Sequence, residues 1–217
     1  MILAFPLITK KVYVMRKLLL LLVLSFASLT QAAVGVFPDS TFQNLDHGLY
    51  WFGYGDSWQK AVPGQSNAYY NASKPTLIYI HGWQNGSSQN KNRETFNRKD
   101  AGGPDLDLAN AWLSGGYNVG VLYWNQFADE GEVTDAEAKI WTASGPRAMR
   151  WRNSSGVYSN GPTQSAGDLL FNSYKDNLAG YSGSNIRIAG HSLGNQMAIV
   201  LTKKISDAVT AGTLNSK

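Results

Sequence analysis

Cysteine is absent from the 217-residue chain, so no disulfide supports it and stability must come from core burial. Histidine is scarce: His47, His81 and His191 are the only three. No group of His, Cys and carboxylate residues has the spacing of metal ligands, so no metal and no cofactor is implied. Low-complexity stretches are missing, and the charged fraction is an ordinary 16%, which excludes a disordered chain. No apolar run reaches the roughly 20 residues that a membrane-spanning helix needs.

The longest such run lies in Met15 to Ala33, "MRKLLLLLVLSFASLTQAA". A short basic start, an apolar stretch from Leu18 to about Leu29 and small residues at the end have the pattern of a secretory signal peptide. Residues 1–33 are therefore expected to be a cleaved leader, with Met15 the better start. Export to the periplasm or outside the cell follows. The leader carries Lys10, Lys11, Arg16 and Lys17, four of the 19 basic residues, and no acid. The 15 that remain balance 15 acidic ones, so the net charge of +4 belongs to targeting, and no nucleic-acid partner follows from it. The sequons at Asn71, Asn85 and Asn153 are ones that a Ser- and Asn-rich chain produces by chance.

Beyond the leader, "GLYWFGYGDSW" and "NAYYNAS" read as short strands and turns, an edge hairpin leading into the fold. "TLIYI" (76–80) and "NVGVLYW" (118–124) are apolar and read as buried strands. Asp105 is placed to cap a helix carrying Leu106, Ala109, Trp112 and Leu113, stopped by Gly115-Gly116. Thr134-x-x-Glu137 has the form of a capping box opening a short helix. Residues 164–178 bring Leu169, Leu170, Tyr174 and Leu178 to one helix face. A last strand is expected at 185–189 and a helix at 193 to about 209. Alternation of this kind predicts an α/β fold, a mainly parallel sheet with helices on both faces. Residues 34–217 are expected to form the N-terminal part of one such domain, with an excursion at about 126–162.

Sites in such sheets form at the carboxyl ends of the strands, where "GHSLG" (190–194) falls. A serine hydroxyl needs a base and oxyanion donors to act as a nucleophile. Gly190 and Gly194 allow strand and helix to meet around a sharp turn, with Ser192 projecting above the sheet and the Leu193 amide beside it. "TLIYIHGW", "NVGVLYW" and "NIRIAGHSLGNQMAIVL" together resemble the α/β-hydrolase superfamily, and within it lipases of the pancreatic-lipase type. The resemblance covers about residues 76–210. It implies Ser192 as nucleophile and the Trp83 and Leu193 amides as oxyanion donors. Gly82 would let the loop fold close, and His81 would orient it. The implied activity is hydrolysis of carboxylic esters, with an acyl-ester or lipid substrate and contact with a membrane or lipid surface.

Departures stand beside these matches. Trp124-Asn125 occupies the place of an Asp-Trp pair in many relatives. The excursion, with Trp141, Trp151, Arg147, Arg150 and Arg152, has no counterpart; it reads as a lid or as a solvated loop with a short helix. The superfamily's order is Ser, then an acid, then His, yet all three histidines precede Ser192. His191 is expected to pack rather than act as base. Asp207 lies about four helical turns beyond the serine. The expectation is therefore a chain that continues past Lys217 to supply acid and base, nearly inactive without them. A non-catalytic relative that binds a lipid or protein through a seven-tryptophan surface is the alternative. Peptidase, thioesterase or acyltransferase chemistry on the same fold also stays open.

Overall fold

The computed structural model describes residues 34–99 and 102–215; the expected leader lies outside them. In chain order the elements begin with β1 (Val34–Val36), α1 (Asp39–Gln43), β2 (Gly48–Phe52), β3 (Trp58–Lys60), β4 (Thr76–Ile80), β5 (Asn92–Glu94), α2 (Leu108–Ser114) and β6 (Asn118–Tyr123). They continue with α3 (Asn125–Ala128), α4 (Val133–Trp141), β7 (Trp151–Arg152), β8 (Tyr158–Ser159), α5 (Ala166–Asn177), β9 (Ile186–Gly190) and α6 (Leu193–Thr210).

The main sheet has five strands in the order β3-β2-β6-β4-β9. β4 pairs parallel with β6 and β9, whereas β2 pairs antiparallel with β3 and β6. The fold is α/β, but the sheet is mixed rather than mainly parallel. The reason lies in the stretch 48–60: the short loop after β2 permits only a hairpin, and β2 then adds to the free side of β6. β2 is thus an interior strand, buried along its whole length, and only β3 is the hairpin's edge. "NAYYNAS" forms turns, not a strand.

Helices do cover both faces, as strand alternation requires. Leu49, Trp51, Ile78, Ile80 and Leu122 point to one side, against Leu170 and Tyr174 of α5 and Met197 and Leu201 of α6. Tyr50, Phe52, Val119, Val121 and Tyr123 point to the other, against Phe37, Phe42 and Ala109. α2 starts later than expected. Asp107, not Asp105, caps it by accepting from the Ala109 amide at 2.9 Å, and Asp105 instead pairs with Lys99 on the surface. Leu106 falls outside the helix.

The 126–162 excursion is neither a solvated loop nor an isolated lid. Phe127, Ala136, Ile140 and Met149 belong to the core, and three buried charges fasten it. The Asp129 carboxylate accepts from the Gly86 and Ser88 amides, at 2.6 and 3.0 Å, and from Arg152. Glu130, fully buried, takes both Lys139 at 2.6 Å and a two-pronged contact from Arg150. The Lys139 ammonium also donates to the carbonyls of Phe127 and Arg150, so all three of its protons are used. Arg150 and Arg152 of the basic cluster seen in the sequence are thus partnered by this acidic pair, and Arg147 pairs with Asp135 at 2.9 Å.

Candidate active site

The three parallel strands end level with one another: Ile80 stands opposite both Leu122 and Gly190. The residues that follow, His81, Tyr123-Trp124 and His191-Ser192, therefore gather at one end of the sheet. Ser192 joins β9 to α6 with φ 54° and ψ −125°. A serine with positive φ is strained by about 1–3 kcal/mol and persists only where its surroundings force it. The forcing contacts are visible at the glycines. A Cβ on Gly194 would lie 2.1 Å from the Ile80 carbonyl oxygen, and one on Gly190 2.3 Å from the Gly194 oxygen. Only bare backbone fits at either position. Ser192 itself is exposed.

The loop after β4 meets this turn directly. A Cβ on Gly82 would sit 2.7 Å from the Ser192 Cβ and 3.2 Å from its Oγ, so glycine is what lets the loop approach. The His191 amide donates to the Ile80 carbonyl at 3.1 Å. Leu193 is the first residue of α6, where an N–H has no intrahelical acceptor. The next two amides are used: Gly194 donates to the His191 carbonyl and Asn195 to that of Ser192. Among the described residues, neither the Leu193 nor the Trp83 amide donates to another protein group.

His81 is fully buried and held at both nitrogens. The Trp124 amide donates to Nε2 at 3.0 Å, so Nε2 carries no proton, and Nδ1 lies 2.9 Å from the Gly82 carbonyl, to which it donates. The Trp124 indole donates to the His81 carbonyl at 2.8 Å. Burial pushes the His81 pKa down to about 4, which keeps the ring neutral in this one tautomer. The imidazole braces the 81–83 loop against β6. Asn125 serves the other face, accepting from the buried Arg93 at 2.8 Å.

None of the three histidines stands as a base to Ser192. His81 is committed. His47 precedes β2, three strands from β9, or roughly 14 Å at the usual spacing, and its ring packs beside Phe127. His191 directs its Nδ1 toward Glu94, 3.8 Å away. No hydrogen bond to the Ser192 hydroxyl occurs among the described residues. Asp207 pairs with Lys203 on the surface of α6, far from the turn.

Two tryptophans flank the site. Trp83 is 38% exposed, and its indole donates to the Glu130 carbonyl at 2.8 Å. Trp141, 55% exposed, donates to Gln196, one turn along α6 from Ser192. The seven tryptophans do not form one surface, since Trp51 and Trp124 are fully buried. A groove of about 700 Å³ starts at Gly190 and Asn195 and runs along Ile188, Ala198, Ile199 and Thr202. Among the described residues no cluster of three or more His, Asp or Glu could hold a metal ion, and no helix is long and apolar enough to cross a membrane.

The sequence reasoning missed Glu94. This carboxylate is 4% exposed and reaches three segments of the site: the Tyr79 hydroxyl on β4 donates to it, the Gln84 amide donates at 3.3 Å, and His191 faces it. Its signal was weak, a lone acid in a polar loop between two strands. No family model matches the chain, and neither a curated protein nor a solved structure does.

Proposed function

We propose that this is a secreted serine hydrolase of the α/β-hydrolase kind, cleaving carboxylic esters with acyl or lipid groups. The backbone of Ser192 carries the reading. A non-glycine residue at φ 54°, exposed on a strand-to-helix turn that leaves no room for a side chain at 190 or 194, is strain kept where a reactive hydroxyl gains from it. In this mechanism the Ser192 oxygen adds to the ester carbonyl while its proton passes to a base outside the described residues, and the alcohol then leaves carrying that proton. The Trp83 and Leu193 amides and the N-terminus of α6 stabilise the oxyanion, and water releases the acyl group. Trp83 and Trp141 offer apolar surface to the acyl chain and to a lipid interface. Export rests on the leader expected at 1–33.

The test is labelling of the intact, full-length protein with a fluorophosphonate probe. Mass spectrometry should find one adduct, on Ser192, and Ser192→Ala should remove it. Folded protein that stays unlabelled would refute the nucleophile.

One observation favours a second reading. None of the three imidazoles of this chain hydrogen-bonds the Ser192 hydroxyl, so Ser192 lacks a base among the described residues. On that reading the turn and the tryptophans bind an ester or lipid without cleaving it, and the protein would bind lipid vesicles while releasing no product from p-nitrophenyl esters.

A further inference from the structure

Glu94 is a carboxylate with 4% exposure and no Lys or Arg on it among the described contacts. Its neighbour Arg93 points to the opposite side of β5, where Asp46 pairs with it at 2.7 Å and four aromatic rings surround it. Alternation along a strand explains the split. What Glu94 does touch is the site. The Tyr79 hydroxyl donates to Oε1, and Gln84, next to Trp83, donates to Oε2. His191, next to Ser192, brings Nδ1 to 3.8 Å from Oε1. That distance allows an ion pair but is too long for a hydrogen bond. His191 Nδ1 is also buried and has no hydrogen-bond partner.

We propose that Glu94 is a positioning residue, tying the residue before Ser192 to the residue after Trp83, so that the charge on His191 sets the alignment of nucleophile and oxyanion donors. The inference rests on the nucleophile reading above and adds its regulation. With His191 protonated, the pair closes and both segments are drawn to one anchor. With His191 neutral, the pull is lost and the turn is held by its glycine contacts and its backbone hydrogen bonds.

The groups facing His191 fit this. Tyr79, from β4, is buried and shifted upward, so its hydroxyl keeps its proton. His81, from the oxyanion loop, stays neutral. Among the described residues Glu94 is the one anion that faces the ring, and its contact raises the His191 pKa above 6.5 against the opposing effect of burial. The sign follows. Stabilisation from the pair is complete below pH 6.5 and disappears as pH rises through the folded-state value.

Two readouts on the full chain test this. In the first, NMR follows the His191 ring through a pH titration. Its midpoint should lie above 6.5 and fall by about one pH unit or more in Glu94→Gln, an opposite charge being worth that much. Glu94→Asp should restore part of the shift. In the second, the rate of fluorophosphonate labelling at Ser192 is measured against pH. It should change severalfold across the His191 midpoint, and both Glu94→Gln and His191→Gln should flatten the profile. Labelling profiles that superimpose in wild type and Glu94→Gln would overturn the positioning role while leaving the nucleophile standing. An unmoved His191 midpoint in Glu94→Gln would do the same. Complete absence of a Ser192 adduct would overturn both readings together.

Discussion

The turn at 190–194 and the excursion at 126–162 lie against the same loop but are held by opposite means. The turn is fixed by what is missing: side chains at Gly190 and Gly194, where any Cβ would strike main-chain atoms. The excursion is fixed by what is buried: Asp129, Glu130 and Lys139, all within 1% of full burial. Steric exclusion demands glycine at fixed positions, whether the atom it would strike is local, as for Gly190, or on β4, as for Gly194, and a short motif can announce those glycines. Buried charge acts between residues far apart, and a partner left alone in the interior becomes a large penalty.

The sharpest test of the charged region is an asymmetry. Glu130 has two cationic partners and Lys139 has one anionic partner. Glu130→Leu leaves the Lys139 ammonium buried with no counter-charge and should cost about 3–5 kcal/mol, the range for a broken buried pair. Lys139→Met leaves Glu130 still bound by Arg150, which is partly exposed, and should cost less than half as much. Urea denaturation of both variants measures the difference. Equal costs would mean that Arg150 carries little of the neutralisation.

The steric region breaks differently. Gly194→Ala places a methyl 2.1 Å from the Ile80 carbonyl. The backbone cannot yield there without moving β4 or α6, so the loss should be about 3 kcal/mol, the upper end for overpacking. Fluorophosphonate labelling of Ser192 should fall with it. The excursion should hardly notice, and limited proteolysis between 142 and 162 checks that. New cleavage there would show that the two regions are one cooperative unit.

This contrast explains what was legible in the sequence. The turn, its flanking strand and helix, and the His81-Gly82-Trp83 loop could be read because each is a run of adjacent residues whose spacing carries the geometry. The mixed sheet could not, because nothing in 48–52 says which strand it joins. Glu94 and the Glu130–Lys139 pair could not, because their partners lie on other elements and only the folded chain brings them together. Arg150 and Arg152 were visible as a basic cluster, but their acids, Asp129 and Glu130, stand some 20 residues earlier.

His81 braces the loop that meets the turn, and pH separates its role. Its folded pKa, pushed down to about 4 from 6.5 by burial, means the unfolded chain binds the proton first. Stability should therefore fall as pH drops from 6.5 toward 4, by about 3 kcal/mol across the window and about 2 by pH 5. His47, also shifted downward by burial, adds in the same direction, whereas His191, shifted upward, opposes it. Glu130 and Asp46 are held below their usual values, burial being outweighed by their cationic partners, so their stabilisation is present above their unfolded values of 4.5 and 3.8 and is lost as pH falls below them. Urea midpoints at pH 7 and 5, in wild type and His81→Asn, isolate the imidazole. A wild-type midpoint that stays flat would show that the ring is charged in the fold.

The smallest effect concerns helix starts, where the sequence reading erred in an instructive way. Thr134-x-x-Glu137 has the form of a capping box, yet α4 begins at Val133, and Glu132 takes the N-cap position with no side-chain bond. Burial of Ala136, Lys139 and Ile140 sets that register, and tertiary packing outweighs a local preference worth about 1 kcal/mol. The box that does form is Ser165 with Asp168 at the start of α5: the Ser165 hydroxyl accepts from the Asp168 amide, and the Asp168 carboxylate accepts from the Ser165 amide. Lys204 of α6 then binds the other Asp168 oxygen, tying the cap to the helix that carries Ser192. Ser165→Ala should cost about 1 kcal/mol, while Thr134→Ala should stay within about 0.5, as an ordinary surface change does. Thermal denaturation of the two variants side by side decides it. A larger loss at Thr134 than at Ser165 would mean that packing does not set the register of α4.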